Sequence, residues 1–462
     1  LLTLFSAGCG LMPTEYTMES EPRKSTLFRS KLFWAMVGVP LAGLVAVGCM
    51  LLLRMSALDS QLDELRARGL PTTASEVNDF YIVPDGVTDT TDLWVTAIGT
   101  VQAPNLWNNG QTLPIIGKGP TPIHPPGEAW AELEASRTFL AGLEAELQVI
   151  WRAAAAGGQA RYPVDFSAGI NTLLTLTQDS RGVARLLKLD AHVSAHDGDT
   201  ARVLQDLKAI FALSDSLRGE PCLISQLVRI AIHAIGCNTV ERLMPHCQWS
   251  DAELQSLQAA IESARFKNKM SNALCGERAT CLTALDTMSP GALGVFRQSN
   301  KLETLRLFEG SIEGYSGSWP DALQRQRELS ADIKKLAAGT LSRLSMWSVM
   351  TLAPAMEQAS IAGARGTARQ KCAIAGLAAQ RYRLKHGRLP TSLAEIDNNL
   401  LGVSSNRSAQ LTDPFDGKPL RYKTEDTRIV IYSVGRNEKD DGGDIDFDNP
   451  PAPLDVGFSL KR

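Results

Sequence analysis

A strong net charge is missing: 47 Lys and Arg stand against 50 Asp and Glu, a formal charge of −3, which speaks against a general affinity for nucleic acid. Aromatic residues are sparse at 6%. None of the eight cysteines (Cys9, Cys49, Cys222, Cys237, Cys247, Cys275, Cys281, Cys372) forms a Cys-x-x-Cys pair, so neither a zinc ribbon nor a thioredoxin-like centre is supported. The nucleophile elbow Gly-x-Ser-x-Gly, a Walker-type phosphate loop and His-Glu-x-x-His do not occur either. These gaps put binding or assembly ahead of catalysis. An exported hydrolase with an unrecognised site stays open as an alternative.

What is present is an apolar content of 44% with 21% charged residues, the balance of a folded protein of two or three domains. Residues Leu32–Leu53 hold no charged side chain over twenty-two positions. As a helix this stretch is about 33 Å long, enough to cross a hydrocarbon core of about 30 Å. Lys31 and Arg54 bracket it, and Trp34 lies near one end. The expectation is a transmembrane signal-anchor with the lipid bilayer as its partner. Arg23, Lys24, Arg29 and Lys31 before the span outnumber Arg54, Arg66 and Arg68 after it, which favours a cytoplasmic N-terminus and an extracytoplasmic bulk. Met12 and Met18 are candidate starts, since residue 1 is leucine.

Beyond the span the chain divides by composition. Residues 1–31 read as a cytoplasmic segment, 32–53 as the span, and 54–126 as a helical extension followed by an irregular strap. In the strap Phe80, Tyr81, Trp94 and Trp107 suggest packing onto the next domain. Residues 127–350 read as a helical bundle. Single helices are expected over Glu128–Ala156, Ile170–Ala195, Lys267–Met288 and Asp321–Val349. The turn Asp197-Gly198-Asp199 joins two helices in a hairpin that resembles the tetratricopeptide type; with no second copy at a fixed period, a plain helical bundle is expected over a repeat array. Ser250 and Glu253 have capping-box spacing, as do Ser392 and Glu395. Cys222–Leu243 is strongly apolar but carries Arg229 and Glu241, which speaks for a core helix over a second span. The six cysteines after the span either pair in an oxidising compartment or serve as small buried hydrophobes.

Three sets of residues could carry chemistry. His192 and His196 share a helical face near Asp197 and Asp199, a metal-binding spacing that a helix end also favours. His246-Cys247 and His386 before Gly387 have simpler readings as turn and helix-end residues. The acidic loop Glu438–Asp448 packs six acids against one lysine. Such a loop suits calcium, which takes several oxygens from carboxylates and carbonyls, or else is simply solvated.

The C-terminal order is distinctive: a helix running into His386-Gly387-Arg388-Leu389-Pro390, then Asp413-Pro414-Phe415-Asp416-Gly417-Lys418-Pro419-Leu420-Arg421-Tyr422, then Ile431-Tyr432-Ser433-Val434-Gly435 before the acidic loop. This resembles the C-terminal half of the major pseudopilin of type II secretion systems, over about residues 367–448. The resemblance implies a small antiparallel sheet against a helix, in residues 351–448, with 449–462 as a tail. It also implies one calcium ion in the loop, with Asn437, Asp440, Asp441 and Asp444 as candidate ligands. Asn437 departs from an aspartate in that family. A second departure is larger: pilins and pseudopilins carry a glutamate inside their apolar helix, and Leu32–Leu53 has none. The expected whole is therefore a mainly α protein, an extracytoplasmic binding or scaffold protein at a bacterial inner membrane with a protein partner. A part in a secretion or pilus-like assembly is the first alternative.

Overall fold

The computed structural model of the protein describes residues 31–102, 108–119, 124–287, 296–402, 410–445 and 454–462. Within α1, the side chains of residues 31–35, 44, 46, 47, 50 and 51 lie outside the described ones, as do Trp107, Asp446 and Asp448. The chain forms two compact units, Leu1–Ser56 and Ala57–Arg462.

The expected span is helical throughout, part of α1 (Lys31–Ala67), which continues past Pro40. Met36, Val39, Leu41, Val45, Leu52 and Leu53 of the first unit are all more than half exposed.

The second unit is mainly helical with one small sheet. After α1 come α2 (Glu76–Phe80), α3 (Thr91–Thr100), α4 (Leu133–Ala141), α5 (Glu144–Ala156), α6 (Thr175–His196) and α7 (Thr200–Ser216). Then follow α8 (Leu223–Leu243), α9 (Asp251–Glu262), α10 (Phe266–Thr287), α11 (Arg297–Gly314), α12 (Trp319–Leu336), α13 (Thr340–Ser345) and α14 (Trp347–His386). Strands β1 (Arg421–Thr424), β2 (Arg428–Ser433) and β3 (Val456–Lys461) form an antiparallel sheet in that order. The strap is more helical than expected, and Tyr81 and Trp94 are buried in the core beneath α5–α7.

Several boundaries correct the sequence reading. Glu128–Ala156 is two helices broken at Gly142-Leu143, with Leu140 of the first and Leu147 of the second both in the core. Asp321–Val349 is broken twice: α12 ends at Leu336, Gly339 with its extended backbone opens α13, and Met346 separates α13 from α14. At Ser392 no cap bond forms. Glu395 is gripped instead by Thr391, Arg388 and Tyr382, which hold its carboxyl down to about 2. The capping box at Ser250 and Glu253 does form, with Ser250 Oγ accepting from Glu253 N at 3.3 Å. The supposed tail contains β3, paired along its length with β2 from Arg428↔Lys461 to Ser433↔Val456. Its alternating apolar positions Val456, Phe458 and Leu460 are all buried, the signature of a half-buried strand.

The hairpin of α6 and α7 turns through Gly198 at φ 76°, and the Asp199 side chain caps α7 by accepting from Arg202 N at 3.0 Å. Helix α8 then packs on both. By length and composition Leu223–His246 is apolar enough to cross a membrane, yet 61% of its most apolar stretch is buried inside the protein. Its faces serve three cores: Val228 and Ile232 meet α5–α7, Cys237, Val240 and Leu243 meet α9 and the sheet, and Ile230 meets α10–α14. A helix apolar all round is one with neighbours all round. The cysteines after the span are all free, with Cys237, Cys275 and Cys372 buried.

Helix α14 runs forty residues and stops at Gly387, which takes the left-handed conformation (φ 73°) open to glycine. Its small side chains let neighbours approach closely. A Cβ on Gly376 would lie 2.3 Å from the Phe458 ring of β3, and one on Gly363 would lie 2.5 Å from Trp319. The turn after Leu411 is built on Asp413, which is fully buried. Its carboxylate accepts from Phe415 N (2.9 Å), Ser433 Oγ (2.7 Å), Val434 N (2.9 Å) and Arg421 Nη1 (3.0 Å), tying the turn to the end of β2. Exposed helical glycines gain stability when replaced by alanine, by about 0.5–1 kcal/mol. At Gly376 the sign is expected to reverse: Gly376→Ala should destabilise by about 1–3 kcal/mol, read as a lower midpoint in denaturant unfolding. An unchanged or raised midpoint would mean that the sheet does not seat on α14 as described.

Candidate functional site

The acidic loop leaves β2 through Gly435, where a Cβ would sit 1.9 Å from Leu454 O. Asn437 Nδ2 donates to Asp441 Oδ2 at 2.8 Å, and Asp440 Oδ1 accepts from Tyr432 Oη and from Gly442 N, both at 2.9 Å. Asp444 lies exposed further along. Glu438 pairs with Arg327 of α12, and Lys423 Nζ donates to Gly442 O at 2.8 Å. At the centre of the loop is a residue that the sequence reading missed, Asp455. It is fully buried, and its Oδ2 accepts from Gly443 N at 2.8 Å while Oδ1 has no partner. Burial raises its carboxyl to about 6, with the charges of Asp441 and Asp440 adding to the shift. The four predicted ligands thus share one loop. Among the described residues no three His, Cys, Asp or Glu side chains converge as a metal set. The signal for Asp455 was its place before an alternating apolar run.

The histidine readings separate. His192 is buried, its Nδ1 2.7 Å from Lys188 O, and burial depresses it to about 3. His196 turns away: its Nε2 is 2.9 Å from His124 O and its ring lies against Trp130 at 5.2 Å. Asp197 pairs with Arg137 and Asp199 caps α7, so the four do not gather. His386 stacks on Tyr382 at 4.2 Å, as a helix-end residue does.

The structure instead brings His192 together with His246, from the turn after α8. Both line a cleft of about 480 Å³ between α6, α8 and the free ends of β2 and β3. Glu241, Arg242, Arg428, Ser459 and Lys461 complete much of its wall. Glu241 Oε1 accepts from Ser459 N (2.9 Å) and Ser459 Oγ (2.7 Å), pinning β3 to α8, and burial raises its carboxyl. His246 is lowered by burial and then by Lys461.

No family model, curated protein or solved structure matches this chain. Function must therefore be read from its own chemistry.

A second buried carboxylate group ties α5, α6 and α7 together. Arg202 grips Asp190 with a fork, Nε to Oδ2 at 2.9 Å and Nη2 to Oδ1 at 3.1 Å, and Nη2 reaches Glu144 at 2.9 Å. Its guanidinium lies 4.9 Å from the Trp151 ring, whose Nε1 donates to Asp206 Oδ1 at 2.9 Å. Asp206 is wholly buried, and burial together with the neighbouring Asp190 holds its carboxyl well above the usual range. Burial raises both carboxyls, and Arg202, which grips Asp190 and not Asp206, offsets the rise at Asp190, so Asp206 is the one held furthest toward the neutral form. Such a group opposes stability as pH rises: the unfolded carboxyl ionises near pH 4, the folded one later, so folding free energy is lost between them. Asp206→Asn, a neutral isostere, is expected to gain stability relative to the parent as pH climbs from about 4 to about 8. Asp206→Ala should lose about 1–3 kcal/mol near pH 4, because Trp151 Nε1 is left unpaired, and that deficit should shrink as pH rises, since this variant too lacks the titrating carboxyl. Thermal melts of the three proteins across that range check both, and parallel pH profiles for parent and Asp206→Asn would overturn the assignment.

Proposed function

We propose that the protein is a membrane-anchored binding or scaffold protein: Leu32–Leu53 crosses the bilayer, and Ala57–Arg462 works outside it by holding partners, not by catalysis. The observation that carries this is an uncharged helical stretch whose described apolar side chains lack protein cover, Val39 at 72%, Leu52 at 66% and Leu53 at 73% exposed. Hydrocarbon is the natural cover for such a surface. The basic residues on either side favour a cytoplasmic N-terminus and a bulk facing the extracytoplasmic side of a bacterial inner membrane.

The C-terminal module supports a pseudopilin-like head, since α14 ends at a left-handed glycine and the sheet β1-β2-β3 packs against that helix. This gives a place in a secretion or pilus-like assembly as the second reading, with pseudopilins or their membrane platform as partners. The span without a glutamate weighs against a filament subunit. The hydrolase reading has less support: the Ser459 hydroxyl in the cleft donates to Glu241, and among the described residues no imidazole nitrogen is hydrogen-bonded to it.

Calcium belongs to the same proposal. The carboxylates do not converge as the loop stands, so Asn437, Asp440, Asp441 and Asp444 would hold one ion by closing around it beside the unpartnered oxygen of Asp455, and the ion would supply the charge that relieves repulsion between neighbouring carboxylates. A thermal melt with and without chelator tests it: a lower melting temperature after chelation is expected, and no shift removes calcium from the reading.

Alkaline carbonate extraction of membranes tests the anchor. The intact chain should stay with the lipid. Val45→Arg, which places a charge at mid-span at a cost of about 2.5–3.5 kcal/mol, should weaken that retention. Recovery of the intact chain in the aqueous fraction without detergent would overturn the proposal.

A further inference from the structure

A second cleft runs along α7, between the end of α5 and the last turn of α9. Its apolar wall is made of small side chains, Ala154, Ala209, Ala212 and Ala260 among them, with Trp94 and Trp151 adding broader surface. At about 480 Å³ it is the size of small-molecule sites, which combine apolar walls with a few placed polar groups. The stretches of chain that line it are described without a break.

The polar groups of this cleft are donors. Asp215 is the one carboxylate among the described lining residues, and both of its oxygens are engaged: Oδ2 accepts from Arg218 Nη1, and Oδ1 accepts from Arg229 Nη2 at 3.3 Å. Arg218 gives Nε to Gln159 Oε1 at 3.3 Å, and its Nη2 has no partner among the described residues. Arg229 is almost wholly buried, and its Nε is likewise unpartnered. Lys269 of α10 lies close enough to these groups that burial, and then Arg218 and Arg229, lower its pKa. Lys208, midway along α7, is exposed and lines the cleft, and its ammonium makes no ion pair or hydrogen bond among the described residues. Gln205 stands one turn before it on the same helical face, its amide also without a partner there. Four cations thus surround one spent carboxylate. The nearest further acid, Asp206 behind Trp151, is held toward the neutral form by burial. Residues 103–107, 120–123, 288–295 and 403–409, which lie outside the described ones, contain no Asp or Glu. In a chain whose net charge is −3, a concave surface of the opposite sign focuses the field on anions.

We propose that this cleft binds a small organic anion with an apolar body and one oxyanion group, carboxylate or phosphate: the body lies on the alanine wall beside Trp151, and the charge is met by the Lys208 ammonium with the Gln205 amide as second donor. The remaining cations, tied to Asp215 or buried, keep the field of the wall positive without competing for the ligand. The proposal goes beyond the scaffold reading and does not depend on the anchor.

The full chain in non-ionic detergent is titrated calorimetrically with 2-naphthoate and, separately, with 2-naphthyl phosphate, each against micelles alone. Saturable binding of at least one is expected, and the tighter of the two tells carboxylate from phosphate chemistry. Two further probes separate body from charge: acetate, which lacks the rings, and 2-naphthylmethylamine, which carries the opposite charge, should each bind at least about tenfold more weakly. Lys208→Glu, at an exposed position without a partner, should weaken binding of the anionic probe by about tenfold or more. Ala155→Trp, also exposed and in the lining, should block the cleft and lower binding likewise. Lys334→Glu makes the same change of charge at an exposed site outside the lining and should leave binding unchanged. Absence of saturable binding by both anionic probes, equal binding of the amine, or unaltered affinity in Lys208→Glu and Ala155→Trp at an unchanged melting temperature would overturn the proposal. Each of these results is read whether or not the chain stays with lipid in carbonate extraction, so the cleft and the anchor fail separately.

Discussion

Everything outside the first unit depends on how closely α8 and α14 can be approached. Helix α8 offers an apolar side in every direction and so becomes the shared wall of three cores. Helix α14 offers the opposite device, places with no side chain at all. Gly363, Gly366 and Gly376 receive Trp319, Ile230 and Phe458 at distances that no Cβ would allow. Large groups inserted into small gaps give the tight packing of a protein interior, and they fix α12, α8 and β3 against one rod. Because Ile230 of α8 is one of those inserted groups, the two devices interlock.

The charged interior is arranged around this frame. Arg229 of α8 is almost wholly buried, yet it reaches Asp215 at 3.3 Å and lies over the Phe266 ring at 5.0 Å. Arg381 of α14 grips Asp251 at 2.7 Å and reaches Gln258 at 3.0 Å. In each case a long cation bridges two helices. Removing one partner of such a pair would strand the other, so these contacts act as register marks more than as large sources of stability.

The sequence was most legible where a local pattern decides the outcome. The uncharged run at Leu32–Leu53, the capping box at Ser250, the left-handed stop at Gly387 and the turn at Asp197–Asp199 are all short-range effects, and the helices and turn they imply are present. The strand at Val456–Lys461 was overlooked because a six-residue alternation is weak without its partner, and its partner β2 lies more than twenty residues earlier. The same holds for Asp206, Asp455 and the cleft of His192 and His246. Their chemistry arises from burial and from groups brought together across long separations, and spacing along the chain carries neither. The His192–His196 pair failed for the converse reason: sharing a helical face does not make two rings point at one atom.

The forty-residue rod of α14 has a mechanical meaning as well. About 60 Å of continuous helix serves the helical body with its first half and the sheet with its second. No loop between them can absorb a bend. A force on the acidic loop would load β2, then α14, and through it the packing of α12 and α8, so the tension would be shared by the whole of the second unit. The sheet is less a pendant than the end of a beam.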